Sequence, residues 1–154
     1  MTTGDNAKKA VAEALNGILA DSLALYLKTK NFHWHVSGPH FRDYHLMFDE
    51  HAAQILGTTD LIAERVRKNG HRTLTSIGDI AKRQSLSDND DSKVAASDML
   101  AELRADNLKL VAKLRDAKEL AGEAGDNATD GLLDDWTDQA EERAWFLFEI
   151  AQKD

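Results

Sequence analysis

Helical spacing of apolar residues, broken by a single proline, is what most narrows the folds open to this chain. Apolar side chains recur every third or fourth position along most of the sequence, strand-like alternation is nearly absent, and Pro39 stands alone. Such a repeat places apolar groups on one stripe of a helix, and the abundant Ala, Leu, Glu and Lys favour that backbone. The first helix is read from Asn6 to His35, with Val11, Leu15, Ile18, Ser22 and Leu25 on its inner stripe. Ser37-Gly38-Pro39 ends it, since glycine suits a helix C-terminus and proline a helix start. A second helix runs from Pro39 to Arg67 and closes at Asn69-Gly70. The segment His71 to Asp91 is read as a crossover holding a short helix from Ser76, its N-cap, to Arg83. Ser85 to Ser92 forms its polar loop. A third long helix spans Lys93 to Glu123, with Leu100, Leu103, Leu110 and Leu114 inward. Gly125-Asp126-Asn127 turns the chain into the last helix, Thr129 to Gln152, carrying Leu133, Trp136, Ala140 and Leu147 inward.

Two helical hairpins joined by a long crossover describe an all-α fold of the four-helix-bundle kind, over one domain spanning residues 1–154. A ferritin-like bundle has this layout, and so do other bundles; pattern alone leaves the choice open. The chain has no cysteine, which excludes disulfides, thiolate metal ligands and cysteine nucleophiles. Its start, Met1 to Lys9, is polar, and no apolar run reaches the length of a membrane span. The expectation is a soluble, cytoplasmic protein with no membrane partner. With 27 acidic against 19 basic residues the formal net charge is -8. That repels nucleic-acid phosphates and suits cations.

Five of the six histidines fall between residues 33 and 51, interleaved with carboxylates. On the second helix His45 and Asp49 lie one turn apart on one face, and so do Asp60 and Glu64. The step from His45 to Asp60 returns the second pair to within roughly 60° of the first. The pairs share a stripe, yet they are separated along the axis by about 22 Å, far beyond a metal–ligand bond of about 2 Å. A two-fold axis near Gln54 or Ile55 resolves this. Antiparallel copies of the helix would set His45 and Asp49 of one chain against Glu64 and Asp60 of the other. His33 stands level with His45 across the hairpin turn. Two imidazoles with two or three carboxylates suit Fe(II), Mn(II) or Zn(II), and so few protein ligands leave positions open for an oxidant. Spacing alone keeps a second reading open, in which these are solvated charges and capping histidines.

The run Asn31-Phe32-His33-Trp34-His35-Val36-Ser37-Gly38-Pro39-His40-Phe41, followed by His45, Asp49, Asp60 and Ala63-Glu64-Arg65, strongly resembles the signature of the Dps proteins. These are miniferritins of the ferritin-like superfamily, and the resemblance extends along the whole chain to Trp145-Phe146-Leu147-Phe148-Glu149. It implies a ferritin-like bundle with the short crossover helix and a homododecameric shell. It also implies ferroxidase ligands at His33, His45, Asp49, Asp60 and Glu64, shared between subunits. The implied activity is oxidation of Fe(II), preferably by hydrogen peroxide, with storage of ferric mineral and protection from oxidative damage. Zn(II) or Mn(II) could take the same ligands. Trp34 matches a tryptophan beside the site, where it either intercepts oxidising equivalents or simply packs at the hairpin. Glu50 matches an inner-surface position for mineral nucleation, whereas Leu46 stands where some members carry a further carboxylate. Asp126 and Asp130 match the acidic lining of pores that admit iron, although the start of a helix also favours acids. His35, His40, His51 and His71 are not expected to be primary ligands. Ordinary ferritins use Glu-x-x-His within one bundle, and that motif is absent. DNA-binding members carry a longer Lys/Arg-rich tail; here the N-terminal stretch offers only Lys8 and Lys9, and Gln152-Lys153-Asp154 end the chain. DNA binding, if any, would rest on repetition of a few lysines around a shell.

Overall fold

The four apolar stripes meet in one core: every inward residue named for the long helices is no more than 3% exposed. The computed structural model describes residues 3–154. The described residues form five helices and no strand: α1 (Thr3–His35), α2 (Phe41–Lys68), α3 (Ile77–Arg83), α4 (Ala96–Glu123) and α5 (Asn127–Ile150). Of the polar start at Met1 to Lys9, the first two residues lie outside that range.

Polar contacts fix the directions of the helices. His33 meets His45 between α1 and α2, and Arg143 meets Asn107 between α5 and α4, so each hairpin is antiparallel. Asp21 meets Lys113 and Lys28 meets Asp106, which sets α4 antiparallel to α1. Gln54 meets Arg143 and Asn69 meets Asp126, which sets α5 antiparallel to α2. The α2–α4 connection must therefore travel the bundle's length, about 40 Å for helices of this size. One long crossover of this kind is the ferritin-like topology.

Element boundaries shift slightly from the sequence reading, for local reasons. Gly38 adopts φ of 120°, a conformation that favours glycine, and Phe41 N–H donates to Gly38 O at 3.1 Å. That turn takes up Pro39 and His40 before α2 begins. The third long helix starts at Ala96 rather than Lys93. Asn89 and Asp91 side chains accept from the backbone N–H of Asp91 and Lys93, holding the chain in Asx turns. The last helix starts two residues early because Asp126 is its N-cap, accepting from Thr129 N–H. Ser76 caps α3 as expected, accepting from Asp79 N–H.

The crossover is laced to α1 by side chains buried for that purpose. Asn16 donates to Arg72 O and accepts from Thr73 Oγ1. Asp21 accepts from the backbone N–H of Ser85 and Leu86, the Ser85 hydroxyl and the Lys113 ammonium. Burial pushes the Asp21 carboxyl up, but these donors outweigh it and hold it below the usual carboxylate range. Among the described residues α1 is the one helix long and apolar enough to cross a membrane. Its most apolar window is 56% buried in the bundle, so core packing accounts for that character.

Candidate metal centre

The hairpin between α1 and α2 brings His33 and His45 face to face. Their rings stack with centroids 3.9 Å apart and planes 13° from parallel. His33 Nδ1–H donates to the His45 carbonyl at 2.6 Å, and His45 Nδ1–H donates to the His33 carbonyl at 2.7 Å. A carbonyl oxygen only accepts, so both Nδ1 atoms must carry the proton. Each imidazole is thereby locked in the tautomer that leaves the Nε2 lone pair free, the form in which histidine ligates a metal. Phe41 stacks on the other side of His45 at 4.9 Å and fixes the ring further.

Asp49 completes the group from the next turn of α2. Its Oδ1 lies 3.8 Å from His33 Nε2 and accepts from the Lys30 ammonium at 2.8 Å. That hydrogen bond holds the Asp49 carboxyl below its usual range. Lys30 also sits 5.8 Å from the Trp34 ring centroid, so a cation, the Asp49 carboxylate and the tryptophan share one edge. Sequence reasoning missed Lys30; its signal was its place one turn before His33 and Trp34. Trp34 is 58% exposed, so within one chain it is not an aromatic packed at the hairpin.

Asp60 and Glu64 lie on the same exposed stripe of α2, at its far end. They form no ion pair or hydrogen bond with a described residue. Among the described residues of one chain no three His, Asp or Glu side chains come together as a metal-holding group. One subunit thus carries two separate groups on this face, His33, His45 and Asp49 at one end and Asp60 and Glu64 at the other, and neither meets the geometry of a metal-holding trio within one chain. Between and beside them the face carries Leu46, Leu56 and Leu61, each more than 40% exposed.

The remaining candidates divide. Glu50 is exposed on α2 and lines a cavity with Glu142 of α5. Asp126 spends both oxygens within the chain, accepting from Thr129 and from Asn69 Nδ2. Burial raises its pKa, and those donors more than reverse the effect. Asp130 pairs with Lys118, which also holds Asp134. His35 is exposed and directed at Asn31, and His40 packs on Tyr44. His51 turns away from the stripe and is buried against α5, 6.0 Å from Phe146; burial, aided by Arg143, lowers its pKa to about 4.

A bundle with one long crossover and a divided His/carboxylate face is ferritin-like in plan. The ferritin-like domain family matches residues 12–154. A DNA protection during starvation protein of Brevibacillus brevis is 33% identical over 91% of this chain and 93% of its own length. Solved structures agree. Dps from Thermosynechococcus elongatus superposes with a TM-score of 0.96 at 26% identity, covering 99% of this chain and 97% of that one. A Dps protein from Vibrio cholerae O1, described as a member of a broad superfamily of ferritin-like diiron-carboxylate proteins, superposes at 0.91 with 27% identity. That match covers 96% of this chain and 92% of the other. The chain belongs to the Dps family of ferritin-like proteins.

Proposed function

We propose that the protein is a ferroxidase and iron store whose oxidation site is completed by a second copy of the chain. The observation that carries this is the reciprocal Nδ1 anchoring of His33 and His45, which leaves two Nε2 lone pairs beside Asp49 on an exposed face. Asp60 and Glu64 of an antiparallel partner would bring the carboxylates that one chain cannot supply. His33, His45, Asp49, Asp60 and Glu64 are the proposed ligands, and Fe(II) is the substrate they hold. Ferritin-like relatives support iron as that metal; Zn(II) and Mn(II) suit the same donors.

Hydrogen peroxide is the proposed oxidant. Each peroxide takes one electron from each of two Fe(II) ions and, with protons, becomes water, so no hydroxyl radical is released. The chain's contribution is to hold both reagents together and to keep the imidazole Nε2 atoms aimed at them. Trp34, exposed at the edge of the half-site, is placed to intercept a stray oxidising equivalent. Ferric product would move to the interior of a dodecameric shell, with Glu50 among its first contacts and Asp126 and Asp130 near the pores. In the intact cell this work belongs to the cytoplasm.

Anaerobic loading with Fe(II), followed by a peroxide pulse, tests the reading. Oxidation faster than that of free iron, saturating at a pair of sites per dimer with little trapped radical, is the expected result. Oxidation at the free-iron rate would sink it. The name of the Brevibacillus relative raises DNA as a second partner, but the charge of -8 weighs against it. The absence of any gel shift at low salt would remove that role.

A further inference from the structure

Outside the divided site, one buried charge lacks its counterpart. Arg143 on α5 is 3% exposed. Burying a cation is costly unless hydrogen bonds or an opposite charge compensate it. Its Nε donates to Asn107 Oδ1 at 2.8 Å and its Nη1 to Gln54 Oε1 at 2.9 Å, both neutral amides. A guanidinium has five N–H donors. The rest find no acceptor among the described residues, and no described carboxylate is ion-paired to it. Burial lowers its pKa to about 10, with Glu142 pulling weakly the other way.

Arg143 lines a partly open cavity of about 150 Å³ between α2 and α5, together with Glu50, His51, Gln54, Glu142 and Phe146. His51 is the second uncommitted group there. It is 7% exposed and makes no hydrogen bond with any described residue. No nitrogen of His51 or Arg143 is both sealed from solvent and unpartnered, so the open donors of both residues remain within reach of a small solute. Both border the same space.

We propose that this cavity binds a small inorganic oxyanion of the phosphate class, held by the Arg143 guanidinium and the His51 N–H. The planar fork of arginine matches two oxygens of a tetrahedral oxyanion, and a buried site strengthens such charge-assisted bonds. A metal ion is the poorer occupant: the fixed positive charge of Arg143 opposes it, and no metal-holding trio gathers there among the described residues. Glu50 and Glu142 are exposed and remain solvated beside the bound anion. On the iron-storage reading, and only there, they let a ferric ion bridge to an outer oxygen of the oxyanion, so that mineral would begin on a mixed iron–phosphate contact.

The test uses iron-free assembled protein titrated with inorganic phosphate at low ionic strength, with chloride as the control, read by calorimetry and phosphorus NMR line width. Saturable binding at one phosphate per subunit is expected. Glu142→Gln removes a like charge at the mouth without touching the buried groups, and tightens binding about three- to fivefold. Arg143→Lys keeps the charge but loses the fork, and weakens binding by about tenfold. No saturable binding by the wild-type protein overturns the proposal. A Glu142→Gln affinity equal to or weaker than wild type overturns it too, and this exposed change secures the result if Arg143→Lys fails to fold. Iron is absent throughout, so failure here leaves the oxidation measurement untouched.

Discussion

A histidine that ligates a metal must show one nitrogen and hide the other, and in this chain His33 and His45 hide theirs in each other's backbone. Neither needs a second-layer carboxylate to set its tautomer, because the hairpin itself supplies both acceptors. His45→Ala removes a ligand and the stacking partner of His33 at once. Initial Fe(II) oxidation by peroxide should fall at least about tenfold while circular dichroism stays helical; an unchanged initial rate would count against the site. Lys30 makes the opposite prediction. Its ammonium occupies an Asp49 oxygen that a metal would need, so Lys30→Gln should tighten Zn(II) binding to the iron-free protein about threefold, measured by competition with a chelating dye. Weaker binding would mean that Lys30 orients Asp49 instead of competing for it. The five proposed ligands were legible in the sequence because helical phase and a short turn make their levels countable. Lys30 was not, since a lysine on an exposed stripe reads as solvated until the structure shows Asp49 beneath it.

At the scale of elements, the long helices follow from their stripes, whereas the crossover depends on polar residues whose purpose is invisible locally. Asp21 is the clearest case: it is fully buried on α1, and its donors come from Ser85, Leu86 and Lys113, more than 60 residues away. Nothing in the sequence marks so distant a pairing. The displaced start of α4 has the same origin, in Asx turns at Asn89 and Asp91. Asp21→Asn leaves the buried donors partly unanswered and should cost about 2–4 kcal/mol at neutral pH, read by chemical denaturation. The carboxyl's folded pKa lies below its unfolded value of about 3.9. Its contribution is therefore fully present above that value and is lost as pH falls through the folded one. The wild type should lose melting temperature on acidification below about pH 4 more steeply than the Asn variant does. Parallel curves would show that Asp21 is not the group that titrates. Proteolysis within residues 85–95 should also quicken in the variant, because that loop hangs on this carboxylate.

For the whole molecule, the decisive feature of the proposed site is that one chain would supply only half of it. The exposed stripe of α2 carries Leu46, Leu56 and Leu61 among the half-site residues, and apolar groups gathered around acids on one face fit burial against a matching surface. Leu56, close to the expected two-fold axis, is the place to test that burial. Leu56→Glu sets like charges against each other across the axis, so the dimer and rapid oxidation should disappear together in size-exclusion and peroxide assays. A stronger test separates assembly from chemistry. His45→Ala breaks the half-site at one end of the stripe and Glu64→Ala the half-site at the other, so each homodimer has both of its sites damaged. In a mixed dimer the lesions fall together: one site carries both changes and the other carries neither. Unfolding and refolding the two variants in equal amounts should yield mixed dimers in about half of the population, and hence about one quarter of the wild-type sites. Oxidation should rise to that level on mixing, although neither variant alone is active. If the ligands of each site came from one chain, mixing would restore nothing.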